Sequence, residues 1–514
     1  MYHPNHFAKT NPNKPAIVMA ASGEVVTYQQ LDQRSNQIAH LFRDLGLKAG
    51  DHIALQVENR AEFFEIVWAA QRFGLVFTAI STHLTADETA YIADNSDSKL
   101  FITTQRLVHI ADKVRSDGGT QVEHFFLLDG EREGFLPLKA QAEMCPTTPV
   151  PNEEPGMMML YSSGTTGRPK GVLPIQTATT IDELHPSWMA LSQVYGFNED
   201  TVYLSPAPLY HAAPLHWNML VMKTGGTTVI MEHFDAEQSL AVIEKYQVTH
   251  SQWVPIMFIR MLKLEEAIRQ RYDVSSMKMA IHASAPCPIE TKQKMIDWWG
   301  PVINEYYAAT EGAGITLIDS AQWLAHRGSV GLPINCIVHI TDDDGKELSQ
   351  GETGTIYFES MVEGDFNYYK DKQKTAEAHH RQGWKTTGDL GYVDAEGYLY
   401  LTDRKAFMII SGGVNIYPQE VESTLIQHDD VVDVAVFGIP NEEFGEEVKA
   451  VVQKRGGLPA DEDIEESKLM AYCREKMSHI KCPRSIDFIE ELPRLDNGKL
   501  YKKGLQQAYS SSVS

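Results

Sequence analysis

Short apolar runs and amphipathic stretches alternate along most of this chain. Residues 28–45 carry apolar side chains at helical spacing, with Thr27 placed to cap the N-terminus and Gly46 just past the end. Residues 52–56 and 99–102 read as buried strands. Further on, strand-like 201–204 precedes a helical pattern near 215–222, and 227–231 precedes a helix over 236–246. Then come 249–254 with 256–268, 278–282 with 289–299, and 302–306. Strands alternating with helices predict a mostly parallel sheet wrapped by helices, whose strand ends open on a shared crevice.

From about residue 338 the pattern changes to short alternating strands at 337–341, 355–358 and 398–402, a β-rich subdomain spanning about 330–402. The run Asp342-Asp343-Asp344-Gly345 invites a calcium reading, but the EF-hand template puts its first ligand on Ile340 and its twelfth on Gly351. A hairpin turn is the better reading. The last hundred residues predict an α+β module: helix 419–427, strands 431–437 and 448–453, helix 465–476 and strand 485–489. The expected fold is α/β. A large N-terminal domain (1–402) of helix-wrapped sheets plus the β-rich subdomain is followed by a small α+β C-terminal domain (406–514), with Asp403-Arg404-Lys405 at the junction.

At 514 residues the chain is too long for one small core, and 43% hydrophobic with 22% charged residues is ordinary for a globular enzyme. A formal charge of −24 argues against nucleic acid as partner, which would need a basic face. Cys145, Cys287, Cys336, Cys473 and Cys482 are scattered without a C-x-x-C pair, which suits a reducing compartment and neither a disulfide scaffold nor a zinc site. The start Met1–Phe7 lacks the basic and apolar regions of a secretory signal, and no apolar stretch is long enough to span a membrane. A cytoplasmic location is expected, and a homodimer is compatible with the chain.

The densest chemistry lies in Tyr161-Ser162-Ser163-Gly164-Thr165-Thr166-Gly167-Arg168-Pro169-Lys170-Gly171, which follows the apolar run Met157–Leu160. Glycines let backbone N–H groups approach closely, hydroxyls donate, and Arg168 or Lys170 offsets charge, all suited to phosphate. Gly164 and Gly167 are too close for a Walker A loop.

This segment resembles the signature loop of the adenylate-forming superfamily, which includes acyl-CoA synthetases, peptide-synthetase adenylation domains and firefly luciferase. Further stretches follow in that family's order: Tyr307-Ala308-Ala309-Thr310-Glu311, Thr387-Gly388-Asp389, the run from Asp403 to Gly413, and the run from Pro493 to Lys499. Val26-Thr27-Tyr28-Gln29-Gln30-Leu31 is similar to the family's early helix start.

The resemblance implies an ATP-dependent acyl-CoA ligase using Mg²⁺, ATP and CoA. A carrier-protein loader and a non-catalytic nucleotide-binding relative are the alternatives. It implies that Ser162, Ser163, Gly164, Thr165, Thr166 and Gly167 hold the β,γ-phosphates, with Thr165 and Thr166 as donors and Lys170 catalytic or anchoring. It gives Tyr307 to adenine, counts Ser284 and Ala285 among the cofactor-binding residues, and gives Thr310 to the α-phosphate and Glu311 to Mg²⁺. Asp389 would take the ribose hydroxyls, and Arg404 would add a second ribose or phosphate contact. His211 would gate the acyl pocket, and Lys499 would reach the α-phosphate during adenylation. Gly412 and Gly413 would meet pantetheine after a mobile C-terminal domain turns about a hinge at 403–405.

The acyl pocket is expected from residues 210–218, 252–255, 282–286 and 305–309. His216, Trp217 and Trp253 form its aromatic set, with small residues such as Ala308 and Ala309, and no buried charge is evident. Acetate-type members close the slot of Ala308 with tryptophan. The alanine here favours a medium or long fatty acid, an aryl acid or a steroid side-chain acid.

Overall fold

The computed structural model describes residues 2–511 apart from 117–118, 163–168, 363–364, 381–382, 405–406, 412–413, 442, 460, 495–499 and 501. Its largest element is a thirteen-stranded sheet of mixed direction. Strands Thr227–Ile230, Val202–Ser205, His250–Trp253, Met279–His282 and Ile303–Ala308 are neighbours and all parallel. Each is followed by a helix or turn that carries the chain back, as parallel pairing requires. Beyond Ile303–Ala308 the same sheet turns antiparallel through Ile315–Ile318, Ser329–Pro333 and Leu399–Arg404. The β-rich subdomain is therefore a continuation of the parallel sheet. A second sheet of six strands, all parallel, contains His52–Gln56 and Ser98–Thr103.

Local signals explain the boundaries. Helix Tyr28–Asp44 starts on a capping box in which the Thr27 hydroxyl accepts from Gln30 N and the Gln30 amide oxygen accepts from Thr27 N. Its chain leaves through Gly46 at φ +87°. The predicted helix over 256–268 is two helices, Pro255–Leu262 and Glu266–Arg269. The break falls at Lys263, whose amine reaches the carbonyls of Ile426 and Val431 in the C-terminal module. The acidic run at 342–345 is a hairpin turn: Asp342 Oδ1 accepts from the N–H groups of Asp344 and Lys346, and Gly345 sits at φ +76°.

A small three-stranded sheet holds the signature segment. Leu160–Ser162 and Lys170–Pro174 form a hairpin with Ser162 opposite Lys170, and Phe366–Tyr368 pairs on the far side. The C-terminal module carries Ile409–Ser411, Val414–Ile416, Val431–Asn441, Gly445–Lys454 and Ser485–Ile489 in one sheet, with helices Pro418–Leu425 and Glu462–Lys476. No helix among the described residues is long and apolar enough to cross a membrane.

Candidate active site

The signature hairpin is anchored on both sides. Tyr161 Oη donates to Asn95 Oδ1 at 2.7 Å, and Tyr91 Oη donates to the Pro169 carbonyl at 3.1 Å, both from helix Ala86–Asn95. Gly171 packs closely, since a Cβ there would meet the Tyr161 ring at 3.1 Å and the Met159 sulfur at 3.2 Å and would press them back by a few tenths of an ångström. Residues Ser163, Gly164, Thr165, Thr166 and Gly167 lie outside the described residues, as does the side chain of Ser162. Lys170, at the hairpin base, sits over the Tyr368 ring at 5.2 Å. Tyr368 Oη in turn donates to Glu311 Oε1 at 2.9 Å. One tyrosine thus ties the hairpin to the carboxylate expected to face the metal.

Thr310 and Glu311 sit in the turn between strands Ile303–Ala308 and Ile315–Ile318, where Gly312 N donates to the Ala309 carbonyl at 3.0 Å. Thr310 therefore does not cap a helix. Immediately before this turn, Tyr307 Oη donates to Asp389 Oδ2 at 2.6 Å, and Thr387 Oγ1 donates to the same oxygen at 2.8 Å. Asp389 is 8% exposed and follows Gly388, whose φ of +81° allows the sharp approach. Arg404 stands opposite Asp389 in the antiparallel ladder. Two residues far apart in sequence, each assigned to the nucleoside, therefore meet directly.

Ser284 and Ala285 follow strand Met279–His282, the neighbour of Ile303–Ala308, and Ser284 is held at φ +75°. A non-glycine residue there is strained, a feature that clusters at ligand sites. His211 precedes helix Ala212–Lys223 and packs beside Tyr210 with ring centroids 4.5 Å apart. Lys499, Gly412 and Gly413 lie outside the described residues. The motifs flanking the crevice are thus brought together by the strand ends, and Tyr368, which joins them, carried no sequence signal.

Parity along the strands corrects the expected pocket. Trp253, His282 and Glu305 lie in register across three strands and point to the face opposite Tyr306 and Trp217. Trp253 is fully buried against Phe258 and Trp299, so it is core and not pocket wall. Glu305 is 5% exposed and pairs with Lys292 Nζ at 2.6 Å, so a buried charge does lie close to the site. Burial pushes the Glu305 carboxyl up, with Lys292 opposing that shift. His282 Nε2 is 3.5 Å from the same carboxylate, and burial holds this imidazole well below its ordinary value.

His216 and His250 are each held at about 4, chiefly by burial. The folded chain thus binds fewer protons than the unfolded one between that value and the ordinary 6.5. Stability must then fall as pH drops through this window, by up to about 3 kcal/mol per histidine. Thermal melts from neutral pH to pH ~4 should show this loss, and His216→Gln should flatten part of it.

Comparison with known proteins accords with the geometry. The profile of the AMP-binding enzyme family matches residues 5–362, and that of the AMP-binding enzyme C-terminal domain matches 420–499. The chain belongs to the AMP-binding enzyme family. Long-chain-fatty-acid–CoA ligase FadD13 of Mycobacterium tuberculosis is 31% identical over 510 residues, 98% of this chain and 97% of its own. Crotonobetaine/carnitine–CoA ligase of Escherichia coli is 28% identical over 515 residues, 96% of each chain. ATP-bound MatB from Rhodopseudomonas palustris superposes with a TM-score of 0.81 at 26% identity, covering 100% of both chains. These full-length relatives place the chain among the AMP-forming acyl-CoA ligases.

Proposed function

We propose that this chain activates a carboxylic acid with ATP and passes the acyl group to CoA, releasing pyrophosphate and AMP. The observation that carries the reading is the convergence of Tyr307, Thr387 and Asp389 on one side of a turn whose other side joins Glu311, Tyr368 and Lys170. That arrangement offers a nucleoside seat and a phosphate seat a few residues apart.

A carboxylate does not acylate a thiol directly, because its oxygen is a poor leaving group. Attack of the carboxylate oxygen on the α-phosphorus breaks the bond to pyrophosphate and leaves an acyl-adenylate. The thiolate of CoA then attacks the acyl carbon, AMP departs, and the proton goes to solvent. Residues Ser162 to Gly167 would hold the departing phosphates, and Thr310 would donate to the α-phosphate. Asp389 would accept from a ribose hydroxyl, a task for a carboxylate acceptor, and Arg404 would add a second ribose or phosphate contact.

The donor set suits Mg²⁺. Glu311 supplies hard carboxylate oxygen, and Tyr368 holds only its Oε1, which orients the group. Mg²⁺ is bound by one or two carboxylates plus substrate phosphates. When bound, it would neutralise phosphate charge. His211 would open and close the acyl pocket. The C-terminal module would swing about 403–405, presenting Lys499 for adenylation and Gly412-Gly413 for thioester formation.

The test is ATP-dependent release of pyrophosphate and AMP across a panel of carboxylic acids, each with and without CoA. AMP release that requires CoA supports the ligase. Pyrophosphate exchange indifferent to CoA would indicate a carrier-protein loader, and silence with ATP still bound would reject catalysis. Asp389→Ala is expected to lower kcat/KM for ATP by about ten- to a hundredfold, the cost of about 1.5–3 kcal/mol for a lost charged hydrogen bond. KM for the acid should change far less, and steady-state titration of each substrate separates the two.

A further inference from the structure

The size of the acid is legible on the face of strand Ile303–Ala308 that carries Tyr306. Successive side chains of a strand alternate, so Tyr307 turns to Asp389 while Tyr306 and Ala308 share the other face. Ala308 is small, but the next residue below it is not. Trp217 Nε1 donates to Tyr306 Oη at 3.2 Å, locking the two rings together. Trp217 is 2% exposed, with ring centroids 5.3 Å from Tyr195, 5.6 Å from Phe197 and 5.6 Å from Tyr306. The space beneath Ala308 is therefore filled by a packed aromatic layer, whose hydrogen bond resists displacement.

We propose that the hydrogen-bonded pair Trp217–Tyr306 is the floor of the acyl pocket and restricts the substrate to compact monocarboxylic acids with uncharged tails. The inference rests on the ligase reading of the same site, and it replaces the expectation of a medium or long fatty acid, an aryl acid or a steroid side-chain acid drawn from the small residues around Ala308. Same-face residues on a strand are about 6.6 Å apart, and an extended alkyl chain advances about 1.3 Å per carbon, leaving room for about five carbons. The aromatic neighbours of this floor are neutral, and the buried Lys292–Glu305 pair lies on the opposite face of the strand. His216 stacks on Trp188 at 4.7 Å and 18°, and it is uncharged at neutral pH because burial holds it at about 4. A second carboxylate or an ammonium tail would be buried there without a counter-charge, which is costly.

The experiment is a chain-length profile of the full-length enzyme, kcat/KM for acetate through dodecanoate, read as CoA-dependent AMP release. Activity should rise by roughly fourfold per added methylene up to about pentanoate, then fall at least about tenfold by octanoate. Trp217→Ala and Tyr306→Ala should move the optimum to longer acids while KM for ATP holds. Should those variants fail to fold, binding of a graded series of acyl-sulfamoyl-adenosines to the unmodified protein gives the same readout, with affinity dropping beyond the hexanoyl member. Dodecanoate turned over as well as pentanoate, or a preference for charged-tail acids, would overturn the floor while leaving the ligase intact. No AMP release with any acid, with ATP still bound, would overturn the ligase reading and the floor with it.

Discussion

Replacing Lys499 with alanine is expected to lower acyl-adenylate formation by about a hundred- to a thousandfold, the range for removing one preorganised group aimed at developing charge. Thioester formation from synthetic acyl-adenylate and CoA should remain close to that of the unmodified enzyme. The reason lies in the charge balance of the first step. Two anions, carboxylate and α-phosphate, must meet and form a five-coordinate centre more negative than either alone. A cation that arrives only for that step stabilises the transition state more than the ground state. The second step attacks carbon, and its leaving group is AMP, so the same cation is not needed. Lys499 is the last residue matched by the C-terminal family profile, and Gly412 and Gly413 lie on the other side of that module's helix Pro418–Leu425 in sequence. A turn about 403–405, ahead of all of them, would exchange the two sets. Separate assays of the half-reactions decide the matter: equal loss in both would refute this division of labour.

Much of the frame could be read from hydrophobic spacing because the elements are long and locally consistent. The helix beginning at Tyr28 carries its own cap, and the parallel strands near the site are short segments that alternate with helices. Three things were not legible, each for a physical reason. The strand at Phe366–Tyr368 is three residues long and forms only by pairing with the signature hairpin, so Tyr368 had no local signal. Asp389 and Tyr307 are 82 positions apart, and no periodicity reports such a contact. The pocket walls were read as whole stretches, yet a strand gives alternate residues to opposite faces. That alternation sends Glu305 and Trp253 into the core and leaves Tyr306, unremarkable in sequence, beside Trp217.

Lys292→Met is expected to destabilise the fold by about 3–5 kcal/mol, the cost of leaving a buried charge without its partner. Lys292 and Glu305 have side chains 0% and 7% exposed, and their 2.6 Å contact joins helix Ile289–Trp299 to the strand that carries Tyr307. The ammonium also lies over the Trp323 ring at 5.1 Å, so its charge is met from two sides. His282 is fully buried, and burial alone, the larger of the two causes that hold it neutral, still opposes its protonation once Lys292 is removed, so it is a poor replacement cation. With Lys292 gone, Glu305 must be buried charged and alone or take up a proton, and burial already favours the protonated form. The variant should therefore regain part of its stability as pH falls towards that of the raised carboxyl. Lys292→Met with Glu305→Leu removes both charges at nearly constant volume and should be less harmful than either single change. Chemical denaturation of the single and double variants across pH measures the coupling. Additive losses, with no recovery in the double variant, would mean that the two groups do not act as a pair. Because Glu305 lies two residues before Tyr307, variants that still fold should show a raised KM for ATP before any change in KM for the acid.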